Sequence, residues 1–262
     1  MKKKYLPRIA DKALELYLEC SGAVLIEGLK WCGKSRTAEE KAKSAIYLQD
    51  PDNRERYERT IGIKPSLLLE GETPRLIDEW QDFPSLWDAV RFAVDRRGDV
   101  GQFILTGSAV PKDNATKHTG TGRINRFTMR TMSLFESKES NGKISLKALF
   151  DGIDDIEGIS TVTIESLAFI LARGGWPASI GVGEAIALQN VYNYCEAVIN
   201  QDINRVDGVD KNPQRVRALM KSYARHISTM ATAATITADV FANDSTISDK
   251  TMSVYLNALE RI

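Results

Sequence analysis

A segment of eight residues, Gly28 to Ser35, has the residue types and spacing that bind phosphate. Its sequence, GLKWCGKS, fits the pattern G-x-x-x-x-G-K-[ST] at every fixed position. In such a loop, backbone N–H groups and a helix N-terminus converge on the β- and γ-phosphates of a nucleotide. Lys34 adds a point charge, and the Ser35 hydroxyl is suited to Mg²⁺. The alternative, an incidental glycine loop, is disfavoured because the segment follows an apolar strand and opens a helix.

Two carboxylates follow about forty residues later, at the end of the segment Arg75-Leu76-Ile77-Asp78-Glu79. Two acids that end a strand are more often simply solvated, but the phosphate loop upstream reverses those odds. This pair matches the Walker B position. We predict that Ser35 and Asp78 hold Mg²⁺ and that Glu79 orients or deprotonates an attacking water, as hydrolysis requires.

A polar triplet, Thr106-Gly107-Ser108, ends another apolar segment. Ligands of open α/β sheets bind at the carboxyl edge, so a hydroxyl there can sense the γ-phosphate. A polar turn after a strand explains the triplet equally well. We choose Ser108 of this triplet as the candidate. The predicted nucleotide-binding residues are then Gly28, Leu29, Lys30, Trp31, Cys32, Gly33, Lys34, Ser35, Arg36 and Ser108.

A stretch without acidic residues, from Asn114 to Phe135, carries several basic residues around the loop 119–122. A guanidinium stabilises the charge that develops on a transferred γ-phosphate. Arg123 or Arg126 is therefore a candidate arginine finger, acting within its own chain or towards a neighbouring subunit. A basic surface strand is the alternative. The predicted catalytic residues are Glu79, Lys34 and Arg123.

Four apolar segments are expected to form the strands that position these residues. Ala23 to Ile26 is apolar throughout, as in a parallel strand buried on both faces, and further strands are expected at 45–48, 76–77 and 103–105. Helices are predicted at 8–19 and 35–43 and after Pro84, with an inner stripe that includes Leu86 and Val90. Alternating strands and helices predict an α/β fold, a P-loop NTPase parallel sheet with helices on both faces.

The part of the chain after about residue 135 is predicted to be mainly helical. We therefore divide the whole chain into two domains, 1–135 and 136–262. Leu188, Val191, Cys195, Val198 and Ile199 mark one long helix face. Asn212 and Pro213 begin another helix, which directs Tyr223 and Ile227 inward among others.

The end of the second domain, 236–262, has the pattern of a winged-helix-like helix-turn-helix with its turn at 243–247. Contact with DNA through Lys250, Thr251 and Ser253 and a purely structural or protein-binding role are both left open. A basic face is expected on the preceding helix, or simply a solvated one; it comprises Lys211, Arg215, Arg217, Lys221 and Arg225.

Taken together, these motifs resemble those of prokaryotic AAA-like ATPases, in which a conserved uncharacterised domain follows the ATP-binding core. Further matching segments are 120–123 (GTGR), 133–136 (SLFE) and 174–177 (GGWP). The resemblance implies ATP binding and hydrolysis at Lys34, Ser35, Asp78 and Glu79, but no established substrate. Proteins of this group are usually longer, so we expect that Ile262 cuts the second domain short.

The composition limits the remaining function classes. The chain of 262 residues has 35 basic and 35 acidic side chains, which leaves no global field towards nucleic acid or membrane. Three cysteines without C-x-x-C pairing, no secretory signal and no membrane span lead us to expect a cytoplasmic protein.

Two functions remain open. The first is a Mg²⁺-dependent ATPase in which nucleotide state moves the helical domain against a protein or DNA partner. The alternative is a nucleotide-responsive DNA-binding regulator with little turnover. A small-molecule kinase fits less well, because the paired Asp78 and Glu79 suit hydrolysis better. Whether the protein forms a homo-oligomer is left open.

Overall fold

The apolar segments form one parallel sheet in the computed structural model, which describes residues 4–107, 119–154, 157–242 and 248–262. The strand order is β2-β3-β4-β1-β5, and every neighbouring pair is parallel. Parallel strands end at the same edge, so the segments that follow β1, β3 and β4 lie together. The strands are β1 (Ala23–Glu27), β2 (Ser44–Tyr47), β3 (Arg75–Asp78), β4 (Phe103–Gly107) and β5 (Ile124–Thr128).

Side chains alternate between the two faces of this sheet, and both faces are buried. The burial is complete only in the central strands, of which β4 has five buried residues and β1 has four. On one face Leu25 and Leu105 pack with Trp87 and Val90. On the other face, Val24, Ile26 and Ile104 belong to a core that also includes Leu14 and Ala38. Helices therefore cover both faces, as the sequence predicts.

Six α-helices lie in the described residues before 174. The first lies before β1, and the second begins at Lys34, within the phosphate-loop motif, and ends earlier than predicted. The third was not predicted from the sequence, because it is rich in charge and contains no fully buried residue. The helices are α1 (Ile9–Cys20), α2 (Lys34–Glu39), α3 (Arg54–Ile63), α4 (Ser85–Arg97), α5 (Leu146–Phe150) and α6 (Ile164–Arg173).

The chain divides into two compact units, Met1–Leu188 and Gln189–Ile262. The predicted boundary at residue 135 stays a prediction. The first unit extends past that residue: Met132 N, in the segment after β5, donates to Gly175 O, in the turn after α6, at 2.7 Å.

The regular structure described in the second unit is helical. A π-helical turn, Val198–Asp202, separates the first two helices. The chain passes from one unit to the other within the first of these helices. They are α7 (Glu184–Ala197), α8 (Ile203–Arg205), α9 (Pro213–Arg225), α10 (Ala233–Phe241) and α11 (Asp249–Glu260).

The predicted start of α9 is confirmed in detail. The Asn212 side chain accepts hydrogen bonds from Gln214 N at 2.9 Å and Arg215 N at 3.3 Å. The inward face was predicted less well: Val216 and Leu219 are buried, but Tyr223 is 51% exposed and Ile227 is 68% exposed. Ile227 lies beyond the end of the helix, and the buried face continues through Ser222 instead.

The two helices of the predicted helix-turn-helix are present as α10 and α11, which contribute Ile236, Val240, Met252 and Tyr255 to the core of the second unit. Their predicted turn, 243–247, lies outside the described residues. No strand that could serve as a wing occurs in the described part of this unit. Within the described ranges, no helix combines the length and apolar character that a membrane span needs.

Candidate nucleotide-binding site

The predicted phosphate loop connects the end of β1 to the start of α2, at the carboxyl edge of the sheet. Gly28 has φ +144°, and a Cβ atom there would lie 2.1 Å from the Met129 carbonyl oxygen. Only glycine tolerates both this backbone and this close approach. The end of β5 therefore packs directly against the first residue of the loop.

Lys34 lies inside the loop and is only 5% exposed. Its ammonium group donates to Gly28 O at 2.8 Å and to Leu29 O at 2.9 Å. Burial lowers the pKa of Lys34, while the nearby negative charges of Glu79 and Asp78 oppose this fall. The loop that carries Lys34 follows β1 and the acid pair ends β3, and both strands pair in parallel with β4, so they lie at one edge of the sheet, as the sequence predicts for one site.

The acid pair ends β3 and is tied to β4 through a threonine. The Thr106 hydroxyl donates to Asp78 Oδ1 at 2.6 Å and accepts from Glu79 N at 3.1 Å. Glu79 adopts a left-handed backbone with φ 56°, and the Gln81 side-chain amide donates to its carboxylate. Both acids are therefore held by neighbouring polar groups rather than left to move in solvent.

Thr106 is a site residue that the sequence analysis did not assign. Its signal was a hydroxyl in a strand, Phe103–Gly107, whose five residues are all buried. The residue chosen in its place, Ser108, lies outside the described residues, so its predicted role stays a prediction.

A cavity of about 690 Å³ lies beside the start of α2. It is bounded by the segment before α1, by α2 and by the turn at 177–181. Leu6, Pro177 and Ile180 give it apolar walls, and Ser35 and Arg36 line it from the loop side. A volume of this size falls in the usual range for small-molecule sites.

The segment before α1 is anchored on α2 by Tyr5. The Tyr5 hydroxyl donates to Asp11 at 2.5 Å and lies 3.0 Å from the Thr37 hydroxyl. Burial, with the hydrogen bond to Asp11, raises the pKa of Tyr5 well above its usual value. The Arg36 guanidinium lies 5.7 Å from the centre of the Tyr5 ring, at cation–π distance. One wall of the cavity is thus held in place by charge and hydrogen bonding.

Two side chains from outside the loop donate to its carbonyls. Arg8 Nη1 donates to Cys32 O at 2.8 Å, and Trp176 Nε1 donates to Lys30 O at 3.3 Å. Sequence reasoning missed these contacts because they join residues that are far apart in the chain.

The structure does not bring Arg123 to the phosphate loop of its own chain. Arg123 O accepts from Ala23 N, at the opposite end of β1 from the loop. With a rise of about 3.3 Å per residue, the loop begins roughly 16 Å further along the strand. Arg123 Nε instead pairs with Asp95 at 2.8 Å. This corrects the expectation of a finger within the chain; a role towards a neighbouring subunit stays a prediction.

The other candidate finger, Arg126, is already engaged within its own chain. It lies in the middle of β5, where its Nη1 atom is 3.4 Å from Glu27 Oε1. Its guanidinium stacks 4.9 Å from the centre of the Trp87 ring. This pairing and stacking engage Arg126 within its own chain; a role towards a neighbouring subunit stays a prediction.

The donor set at the sheet edge fits Mg²⁺. Among the residues that the structure describes, no three His, Cys, Asp or Glu side chains gather into a protein-only metal cage. Mg²⁺ is usually bound through one or two carboxylates together with waters and substrate phosphates. The Ser35 hydroxyl and the Asp78 carboxylate supply oxygen ligands of that kind.

A phosphate loop after β1 and an acid pair after β3, on one parallel sheet, define a P-loop nucleotide-binding fold. Residues 21–138 match the family described as AAA domain. Residues 164–262 match a domain of unknown function (DUF8612). The P-loop core therefore matches an AAA domain, and a match to a second domain follows it, as the sequence resemblance implies.

A solved structure with a TM-score above 0.5 supports the same fold. The Walker-type ATPase PABY2304 of Pyrococcus abyssi is 15% identical with a TM-score of 0.57, over 99% of this chain and 90% of that one. AMPPCP-bound DnaA from Aquifex aeolicus is 12% identical with a TM-score of 0.41, over 96% of this chain and 85% of that one. A search of curated proteins finds no match.

Proposed function

We propose that this protein binds Mg·ATP at the loop between β1 and α2 and hydrolyses it. The observation that carries the proposal is the strand arrangement: the loop with buried Lys34 follows β1, the acid pair Asp78 and Glu79 ends β3, and both strands pair in parallel with β4. Cation, acid pair and phosphate loop thus occupy one sheet edge, which is the arrangement that phosphoryl transfer to water requires.

Each residue has a distinct role in this proposal. Lys34 exchanges the carbonyls of Gly28 and Leu29 for phosphate oxygens. Ser35 and Asp78 hold Mg²⁺, which supplies positive charge to the phosphates. Glu79 accepts a proton from the attacking water, and its backbone is held by Thr106. The cavity beside α2 receives the base and ribose between Leu6 and Pro177.

We further propose that nucleotide state is passed on to the helical second domain. The link that we propose runs along the chain: Trp176 donates to the phosphate loop. Trp176 lies in the first unit, shortly before α7, the helix in which the chain passes into the second unit. A partner for that domain is most simply a protein. DNA binding is less well supported, because most of the predicted basic face is neutralised: Lys211 pairs with Asp207, Arg217 with Glu196 and Arg225 with Asp239.

Steady-state phosphate release with Mg·ATP tests the proposal. Glu79→Gln removes the proton acceptor, so kcat is expected to fall by roughly 10²- to 10⁴-fold while ATP stays bound. Glu55→Gln is the matched control, since Glu55 pairs with Arg59 on exposed α3. Turnover in the Glu79 variant equal to that of the wild type would refute the assigned role. Phosphate release should be measured with and without duplex DNA. This comparison separates an ATPase from the alternative, a nucleotide-responsive DNA-binding regulator with little turnover.

A further inference from the structure

We propose that Trp176 and Arg8 are positioning residues that hold the phosphate loop in its phosphate-binding conformation, an inference that rests on the proposed function. Each donates a hydrogen bond to a loop carbonyl from outside the loop. Trp176 lies in the range matched by the domain of unknown function and also in the first compact unit, so the N-terminal part of that range contributes directly to the proposed nucleotide site.

Trp176 is fixed by the backbone around it. Gly175 O accepts from Met132 N at 2.7 Å. A Cβ atom on Gly175 would lie 2.1 Å from Met132 O, so only glycine permits this approach. The turn is thereby pinned to the segment after β5, and the indole N–H donates to Lys30 O at 3.3 Å.

Arg8 is anchored by three different partners. Besides Cys32 O, its guanidinium donates to Arg130 O at 2.8 Å and to Glu136 Oε1 at 2.9 Å. Glu136 also accepts from Ile9 N at 2.8 Å and from Ser133 N at 2.7 Å, so the buried ion pair is well satisfied. A buried ion pair of this kind is by itself weak evidence for net stability, whereas the hydrogen bond from Arg8 to Cys32 O acts directly on the loop.

Because the peptide unit is planar and trans, a contact that holds a carbonyl oxygen also sets the direction of the N–H in the same unit. In each peptide unit the C=O and the following N–H point in opposite directions. A donor that holds Lys30 O therefore orients the N–H of Trp31, and a donor that holds Cys32 O orients the N–H of Gly33. The hydrogen bonds from Trp176 and Arg8 thus hold alternate peptide units of the loop.

The neighbouring carbonyls are engaged as well. Gly28 O and Leu29 O accept from Lys34, and Gly33 O accepts from Thr37 N at 2.9 Å. Carbonyl oxygens carry partial negative charge and would repel phosphate if they faced it. When Lys34 moves to the phosphates, Arg8 and Trp176 still restrain the carbonyls of Cys32 and Lys30, which Lys34 never contacts.

The test compares ligands that differ in phosphate content. Trp176→Phe keeps an aromatic ring but loses the N–H, and Arg8→Lys keeps the charge but loses the fork of donors. Dissociation constants for Mg·ATP, Mg·ADP and adenosine are measured by competition with a fluorescent ATP analogue. Each variant should bind ATP and ADP about 3- to 10-fold more weakly, as expected for one lost hydrogen bond, and adenosine unchanged.

Matched controls are Tyr192→Phe, on the exposed side of α7, and Arg59→Lys, on exposed α3. Thermal unfolding confirms that each variant is folded; if Arg8→Lys unfolds, Trp176→Phe decides alone. Equal weakening of all three ligands, or unchanged binding of ATP and ADP, would overturn the inference. A wild-type protein that binds no ATP would instead refute the proposed function, so the two failures are distinguishable.

Discussion

Thr106→Val tests how β4 supports the acid pair. Valine has nearly the shape of threonine but lacks the hydroxyl, so the change removes the hydrogen bonds to Asp78 Oδ1 and from Glu79 N without opening a cavity. Thr106 is fully buried. Both partners then lose a hydrogen bond in a protected place, which costs more than a bond lost at the surface.

The magnitude follows from these two bonds. One is to a carboxylate and one is from a backbone N–H, so the free energy of unfolding should fall by about 3 kcal/mol. For a unit of this size, that corresponds to a decrease in Tm of roughly 6–12 °C. Groups that orient a metal ligand typically affect activity by about 10- to 100-fold, and kcat should fall by that factor.

The assay combines thermal unfolding with phosphate release at saturating Mg·ATP. Thr106→Ser restores the hydroxyl and should recover most of the activity, whereas Thr60→Val on α3 should leave it unchanged. If Thr106→Val and Thr106→Ser have equal kcat, the hydroxyl does not position the acid pair, and the reasoning from its two hydrogen bonds is wrong.

Three further changes test other parts of the molecule. Gly28→Ala should abolish ATP binding and lower stability, because its Cβ atom would meet Met129 O, whereas Gly62→Ala, with open space around it, should stabilise α3 by about 0.5–1 kcal/mol; equal effects in calorimetry would contradict this. The hydrogen bond from Arg173 lowers the pKa of Glu139, so its stabilisation is present above the unfolded pKa of about 4.3 and lost as pH falls through the folded value. Urea unfolding between pH 7 and pH 3 should therefore show a smaller loss for Glu139→Gln than for wild type, and identical pH profiles would count against the pair. Asn212→Ala should lower the stability of the second unit by about 1 kcal/mol through loss of the helix cap, and an unchanged urea midpoint would exclude that role.

The parts of the fold predicted from sequence are those with strong local signals. Strands β1 and β4 are largely apolar because they are buried on both faces. The start of α9 is indicated by two adjacent residues, Asn212 and Pro213. Strand β5 was not predicted as part of the sheet, because an edge strand carries polar residues such as Asn125 and Arg126. Helix α3 was not predicted for a similar reason. Most of its residues are polar or charged, and only a few, such as Tyr57 and Ile61, pack against the core.

The candidate site was only partly predictable for a different reason. The loop and the acid pair are contiguous motifs, so their chemistry can be inferred without the fold. Contacts made by Arg8, Thr106 and Trp176 depend on which strands are neighbours and on where distant turns return to the sheet. For Arg123 the sequence suggested a suitable charge, but the position was wrong. The register of β5 with β1 places Arg123 at the end of β1 opposite the phosphate loop.

The central claim is that the loop between β1 and α2 binds the phosphates of ATP through Lys34. Calorimetric titration of Mg·ATP into wild-type protein and Lys34→Ala tests it most directly, with Lys41→Ala as a control because Lys41 pairs with Glu15 on the surface. We predict saturable binding by the wild type and the control, and loss of measurable affinity in Lys34→Ala. Binding of equal strength in Lys34→Ala would contradict the assignment of the phosphate loop.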